Sequence, residues 1–230
     1  MRITHAVNSE TRMIGTERHV LNLAAAQKAR GFEVKVVTDR PGRLSDDCAE
    51  QGIEVVMAAE LAPGSPHFGD SPEWMTRNLV SKFKDLRTEV MHCHTPPAAG
   101  QAIRIAHSMR IPPVLTIHHP MHTRLLRVAR NLGTRIAAIC VSRADFEELK
   151  DNNAHDADIY YVPHGTGVAS LEIPEPPVRV CPPELILAAS LEDVKGIDIA
   201  LLAMFRLRRE FSRECARALT FTAVAPRSGF

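Results

Sequence analysis

Residues Ile3 to Thr38 read ITHAVNSETRMIGTERHVLNLAAAQKARGFEVKVVT, and this stretch decides the fold. Ile3 to Val7 is a short apolar run of strand type. After a Gly15-Thr16 turn, Glu17 to Arg30 carries Val20, Leu21, Leu23, Ala24 and Gln27 with one apolar side, which predicts a helix that stops at Gly31. Glu33 to Thr38, with Val34, Val36 and Val37, predicts a second strand. Strand, helix and strand in succession form the βα unit from which parallel sheets are wound.

Working outward, the alternation continues. The pattern predicts a short helix over Leu44 to Gln51, a strand over Ile53 to Met57, and an irregular loop from Ala62 to Asp70 that concentrates Pro63, Gly64, Pro66 and Gly69. Ser71-Pro72-Glu73 then starts a helix running to about Leu86. Strands follow at Val90 to His92, Val114 to Ile117, Ala137 to Val141 and Ile159 to Val162, with helices at Ala98 to Met109, Met121 to Asn131 and Ala144 to Lys150. Ser142 and Asp145 fit a loose capping box at the last of these helices. Residues 1–165 are therefore expected to form one α/β domain with helices on both faces of its sheet.

Residues 166–183 hold Pro174, Pro176, Pro177, Pro182 and Pro183, the composition of a stiff linker. Residues 184–230 hold one more strand (Leu185 to Ala189), a helix (Ile197 to Glu210) and a final β-like run (Leu219 to Val224). One such unit cannot bury both faces of a sheet, so this region is expected to be an incomplete second domain.

Composition excludes several classes. The chain has 230 residues, 45% of them hydrophobic and 24% charged, the balance of a globular protein with a core. With 28 Lys plus Arg against 27 Asp plus Glu, no global attraction to nucleic acid or anionic membrane is expected. Only 5% of residues are aromatic, which argues further against a nucleic-acid partner. No apolar run approaches the ~20 residues of a membrane span, and polar residues interrupt any signal-peptide core. Cys48, Cys93, Cys140, Cys181 and Cys215 are scattered and odd in number. They read as reduced thiols, and the expected location is the cytoplasm, with peripheral contact at the inner membrane surface left open.

In an open parallel sheet, ligands collect beyond the carboxyl ends of the strands. The residues expected there are Gly15 and Thr16, His92 and His94, His118 and His119, Ser142 and Arg143, and His164 and Gly165. Gly15-Thr16 at a helix start is either a phosphate cradle or a plain turn. His118 is either an acid/base or hydrogen-bonding group at the crevice mouth or a structural histidine. A metal at the histidines is not expected, since no H-E-x-x-H or C-x-x-C spacing is present. Lys195-Gly196 before the Ile197 helix suits a diphosphate, or is a solvated lysine. The arginines from Arg206 to Arg217 alternate with Glu210 and Glu214 and read as a solvated face.

The order of these motifs resembles one family. Ile14-Gly15-Thr16-Glu17-Arg18-His19-Val20, Leu23-Ala24, Gly31-Phe32-Glu33-Val34, Val90-Met91-His92-Cys93-His94, Thr116-Ile117-His118, Val141-Ser142, Val162-Pro163-His164-Gly165 and Lys195-Gly196-Ile197-Asp198 are together similar to the family 4 glycosyltransferases of the GT-B fold. The resemblance implies a Rossmann-like N-terminal domain on the acceptor side and a Rossmann-like C-terminal domain for a nucleotide-sugar donor. It implies sugar transfer with retention to a sugar, lipid or small-molecule acceptor, without a metal or other cofactor. Gly15 and Thr16 resemble the loop that approaches the donor diphosphate. His118 resembles the catalytic histidine beside the transferred sugar, and Lys195 the lysine that neutralises the departing diphosphate. His94 and Ser142 are expected among the donor- or acceptor-binding residues.

Departures from the family pattern accompany the likeness. Ile14-Gly15 stands where a glycine pair is usual, and His164-Gly165 where Asn-Gly is usual. Ala189-Ser190 stands for the family's Gly-Arg pair, and the acidic E-x7-E region is absent. A frameshift or early stop just past Phe221 is the expectation this raises. It leaves two readings: a transferase weakly active or inactive by itself, or a non-catalytic binding module that forms homo-oligomers or is completed by a partner chain.

Overall fold

The computed structural model describes residues 1–9, 15–62, 73–151, 157–165, 184–188, 195–210 and 220–224. The expected loop at 63–70, the Ser71-Pro72 helix start, the linker at 166–183, the Ala189-Ser190 position and the last six residues lie outside them. The chain divides into two compact units, Met1–Gly167 and Val168–Phe230.

The first unit is built on strands β1 (Arg2–Ala6), β2 (Glu33–Thr38), β3 (Glu54–Met57), β4 (Val90–Cys93), β5 (Pro113–Ile117), β6 (Ile136–Cys140) and β7 (Ala157–Tyr161). All are parallel, in the order β3-β2-β1-β4-β5-β6-β7. Helices α1 (Gly15–Ala29), α2 (Arg43–Glu50), α3 (Glu73–Asp85), α4 (Pro96–Met109), α5 (Arg124–Asn131) and α6 (Arg143–Asp151) connect them. This is an α/β, Rossmann-like sheet, as the alternation predicted. Two cores cover its two faces. Val20, Leu21 and Ala24 of α1 pack with Val34 and Val36 on one, and Ala98, Ala102 and Ile105 of α4 with Val37 and Leu115 on the other. Adjacent Val36 and Val37 point to opposite faces, as pleating requires, and both are buried.

Strand order reverses between β1 and β4, which opens a crevice at their carboxyl ends. Register there sets His5 beside His92 and Ala6 beside Cys93.

Three local features position that crevice. Gly31, at φ 84°, ends α1 in the left-handed conformation that glycine adopts without steric cost, and Phe32 N–H donates to the Gln27 carbonyl at 3.2 Å. Helix α4 starts at Pro96, two residues before the expected Ala98, because the buried Asn8 amide caps it from the segment after β1. Asn8 Oδ1 accepts from Ala98 N–H at 2.9 Å and from Thr95 Oγ1 at 2.9 Å, and its Nδ2 donates to the Leu61 carbonyl at 2.6 Å. The helix expected over Met121 to Asn131 begins instead as a 3₁₀ turn, Pro120–Thr123, before α5. There His118 N–H, which precedes the turn and has no helical carbonyl within reach, donates to His122 Nδ1 at 3.3 Å.

In the second unit, β8 (Glu184–Ala188) pairs in parallel with β9 (Thr220–Val224), with α7 (Ile197–Glu210) between them in sequence. Helix α7 buries Met204 but exposes Ile199, Leu201, Leu202 and Phe205 by 68%, 52%, 52% and 59%. Among the described residues of this unit, one βαβ element leaves this apolar surface exposed.

Candidate active site

Eight of the 11 histidines meet at the carboxyl ends of β1, β4 and β5. His5 and His92 sit on neighbouring strands, with ring centroids 5.0 Å apart. His94 follows β4 and stacks on His92 at 4.3 Å. His118 follows β5, His19 enters from α1, and His164 follows β7, its ring stacked 5.3 Å from His118.

A hydrogen-bonded chain runs through the cluster. His5 Nε2 donates to Gln27 Oε1 at 2.7 Å. A neutral imidazole carries one ring proton, so His5 Nδ1 must accept, and its partner at 2.9 Å is His94 Nε2–H. His94 Nδ1 must then accept, from His118 Nε2–H at 3.3 Å. The lone pair of His118 is left on Nδ1. With Gln27 presenting its carbonyl oxygen, one amide thus fixes the tautomers of three rings.

Burial holds His5, His19, His92, His94 and His118 below the usual histidine range, so these five rings are neutral at pH 7. Burial chiefly holds His5 down to about 4, opposed by its Gln27 hydrogen bond. Burial, then the neighbouring His164, brings His19 to about 4. Burial, followed by His19, His164 and His122, brings His118 to about 3. His92 and His94, fully enclosed, lie well below the usual histidine range, again chiefly through burial. Several imidazolium ions this close would repel one another with little water to screen them.

The expected site residues fall into four places. His118 is half-buried at the rim, while His94 is completely buried with both ring nitrogens engaged inside the cluster. Gly15 and Thr16 form the first turn of α1, with Gly15 exposed and open space where a Cβ would stand. Ser142 precedes α6, its Oγ accepting from Asp145 N–H at 3.4 Å, so the capping geometry is present but long. Lys195 belongs to the second unit, exposed two residues before α7.

The sequence reading assigned no site role to His5 or Asn8, placed Gln27 only among the residues of the first helix, and used His19 only as part of a motif. One signal was available: His19, Leu23 and Gln27 recur every four residues, which puts two polar groups on one helical face. Two sets of three histidines, His5 with His92 and His94, and His19 with His94 and His118, each bring nitrogens within 4.8 Å of one another. No helix among the described residues is long and apolar enough to cross a membrane.

An open parallel α/β sheet whose strand order reverses between β1 and β4, with histidines gathered at that reversal, defines the Rossmann-like class. The chain belongs to Glycosyltransferase Family 4, whose model matches residues 13–169. Glycogen synthase from Mycobacterium tuberculosis is 26% identical over 236 aligned positions, covering 85% of this chain and 55% of that protein. The chain thus spans about half the length of the curated relatives it matches. Among crystal structures, a glycosyltransferase from Rickettsia africae aligns with a TM-score of 0.63 at 12% identity, over 96% of this chain and 68% of that one. HepE from Anabaena, solved with UDP and glucose, aligns at 0.62 and 16%, over 97% and 69%. These likenesses show the GT-B glycosyltransferase fold.

Proposed function

We propose that the chain carries the acceptor-side domain, and the opening βαβ unit of the donor-side domain, of a retaining transferase. It would move a sugar from a nucleotide sugar to a sugar, lipid or small-molecule acceptor. The observation that carries this reading is His118, a neutral ring of fixed tautomer at the crevice rim inside the family-matched region. The UDP and glucose held by HepE support a nucleotide-sugar donor.

In this reading the His118 Nδ1 lone pair accepts a hydrogen bond from a hydroxyl of the transferred sugar. Partial negative charge there stabilises the oxocarbenium character that grows as the bond from the anomeric carbon to the diphosphate breaks. The bonding electrons leave with the diphosphate oxygen. The acceptor oxygen attacks the same face and gives its proton to that oxygen. The N-terminus of α1 at Gly15 and Thr16 would offer its N–H groups to the diphosphate, and the family resemblance assigns neutralisation of the leaving charge to Lys195. No metal takes part in this step. Ser142 and the buried His94 shape the site, His94 by holding His118. A cytoplasmic location, with contact to the inner membrane surface where the acceptor is a lipid, accompanies this reading.

Calorimetric titration with a panel of nucleotide sugars, followed by transfer assays, tests it. The expected result is saturable binding of one donor that His118→Ala weakens by about tenfold or more. Absence of binding by every donor contradicts it. A second reading rests on the exposed Ile199, Leu201, Leu202 and Phe205 of α7: a binding module whose second unit is covered by another copy or a partner chain. Light scattering separates the two, since a monomer that turns over substrate excludes the module and a stable oligomer without turnover favours it.

A further inference from the structure

We infer that His19, His94 and His118 form a binding site for a borderline divalent transition-metal ion of the zinc class. This goes beyond the proposed transfer, which uses no metal, and rests on the geometry of the three rings. Their nitrogens lie within 4.8 Å of one another. His94 Nδ1 and His118 Nε2 stand 3.3 Å apart. A zinc ion bound at about 2.0–2.1 Å in a tetrahedron sets two ligands roughly 3.3 Å apart, so this pair already has the spacing of a tetrahedral edge. Imidazole suits zinc, nickel, cobalt and copper and does not suit magnesium or calcium.

The surroundings are those of a metal site. A ligating histidine is normally oriented by a hydrogen bond at its other nitrogen. His94 Nε2 donates to His5 Nδ1, and His5 Nε2 donates onward to Gln27 Oε1. His19 Nδ1 is 2.9 Å from His164 Nδ1. Binding therefore requires one proton to move: the His118 proton passes from Nε2 to Nδ1, and the freed Nε2 lone pair turns to the ion. Three neutral imidazoles leave the fourth position to water.

The inner set, His5, His92 and His94, is the weaker candidate. Its members are 0%, 5% and 0% exposed. Gln27, Thr116 and the rings themselves already engage His5 Nε2, His92 Nε2 and the nitrogens between His5 and His94. An ion there would have to displace those bonds without a route from solvent. The outer set has two half-buried members, His19 and His118, through which an ion can enter.

The test uses the full chain without a polyhistidine tag, stripped with a chelator and kept reduced. Zn²⁺ alone is titrated by calorimetry, Co²⁺ is followed by visible absorption, and Mg²⁺ serves as the comparison ion. Expected are one Zn²⁺ site of micromolar or tighter affinity, tetrahedral Co²⁺ bands without a thiolate-to-cobalt band, and no Mg²⁺ binding. His19→Asn and His118→Asn each weaken Zn²⁺ by about tenfold or more. Gln27→Leu, which loosens the orienting chain, weakens it by roughly tenfold. His107→Ala, at the far end of α4 where His107 pairs with Thr134, leaves it unchanged. Absence of a site tighter than about millimolar overturns the inference. So does equal affinity in the wild type and both asparagine variants, or a Co²⁺ spectrum with thiolate character. These readouts do not depend on sugar transfer, so they fail or succeed apart from it; because the bound ion puts the His118 proton on Nδ1, the zinc-bound form is the one that cannot accept the sugar hydroxyl.

Discussion

Within the histidine cluster, the inner half and the outer half are made of one residue type in two settings. His5, His92 and His94 are 0%, 5% and 0% exposed, and their nitrogens bond to one another, to Gln27, to Thr116 and outward to His118. His19 and His118 are half-buried and His164 is exposed, at the mouth of the crevice. Depth decides the role. A buried imidazole must spend its polar atoms on the protein, whereas one at the rim keeps a lone pair for a ligand. The inner rings are a scaffold that fixes the tautomer of the outer one.

Acid should break this contrast first and most strongly. His5 has a folded value of about 4 against 6.5 in the open chain. Above pH 6.5 both states are neutral and pH has no effect through this group. Between 6.5 and about 4 the unfolded chain binds a proton that the native chain refuses, so stability falls as pH falls. For His5 alone the loss is about 3 kcal/mol, and the lowered His92 and His94 add to it. Urea unfolding at pH 7 and pH 4.5, with chelator present, measures it. A flat profile would mean that the inner rings are already charged or solvated.

Asn8→Ala comes next. It removes the acceptor for Ala98 N–H and Thr95 Oγ1 and the donor to Leu61, all in a buried place. The expected cost is about 2–3 kcal/mol in chemical denaturation. His118→Ala sharpens the comparison from the other side. It removes a half-buried side chain and leaves the buried His94 Nδ1 without its donor, so unfolding should shift by about 1–2 kcal/mol, while nucleotide-sugar affinity should drop about tenfold. Gly15→Ala has the smallest structural effect, within about 0.5 kcal/mol, because an added Cβ meets nothing within 4 Å. A donor-affinity loss in that variant would then report close approach of the diphosphate. Cys48 and Cys140, whose thiols burial pushes up to about 11, and Cys93, pushed higher still, should resist alkylation at pH 8 in the native protein. Site-resolved mass spectrometry reads this out.

Much of the first unit was legible because parallel sheets buried on both faces write themselves as apolar runs. Ile3 to Val7, Val114 to Ile117 and Ala137 to Val141 all fell within a residue or two of the observed strands. The starts of α4 and α5 were not legible. The first depends on Asn8, 90 residues before Ala98 in sequence, and the second on Pro120 and a side-chain acceptor, His122. The rim histidines were visible because they follow strands directly. His5 was hidden inside a strand, and only the adjacency of β1 and β4 pairs it with His92. Nothing local in the sequence announces that contact. Gln27 reads as one polar residue on a helix until the fold brings it to His5.

The central claim is that the buried rings hold His118 neutral, with its proton on Nε2 and its lone pair offered on Nδ1 to a sugar. Nitrogen-15 NMR of the histidine side chains, in metal-free protein titrated with nucleotide sugars at pH 7, tests it most directly. The expected spectrum shows His118 protonated at Nε2 only, with its Nδ1 resonance shifting on donor addition while His92 stays fixed. A His118 protonated at Nδ1, or one whose signals ignore every donor, would contradict the account.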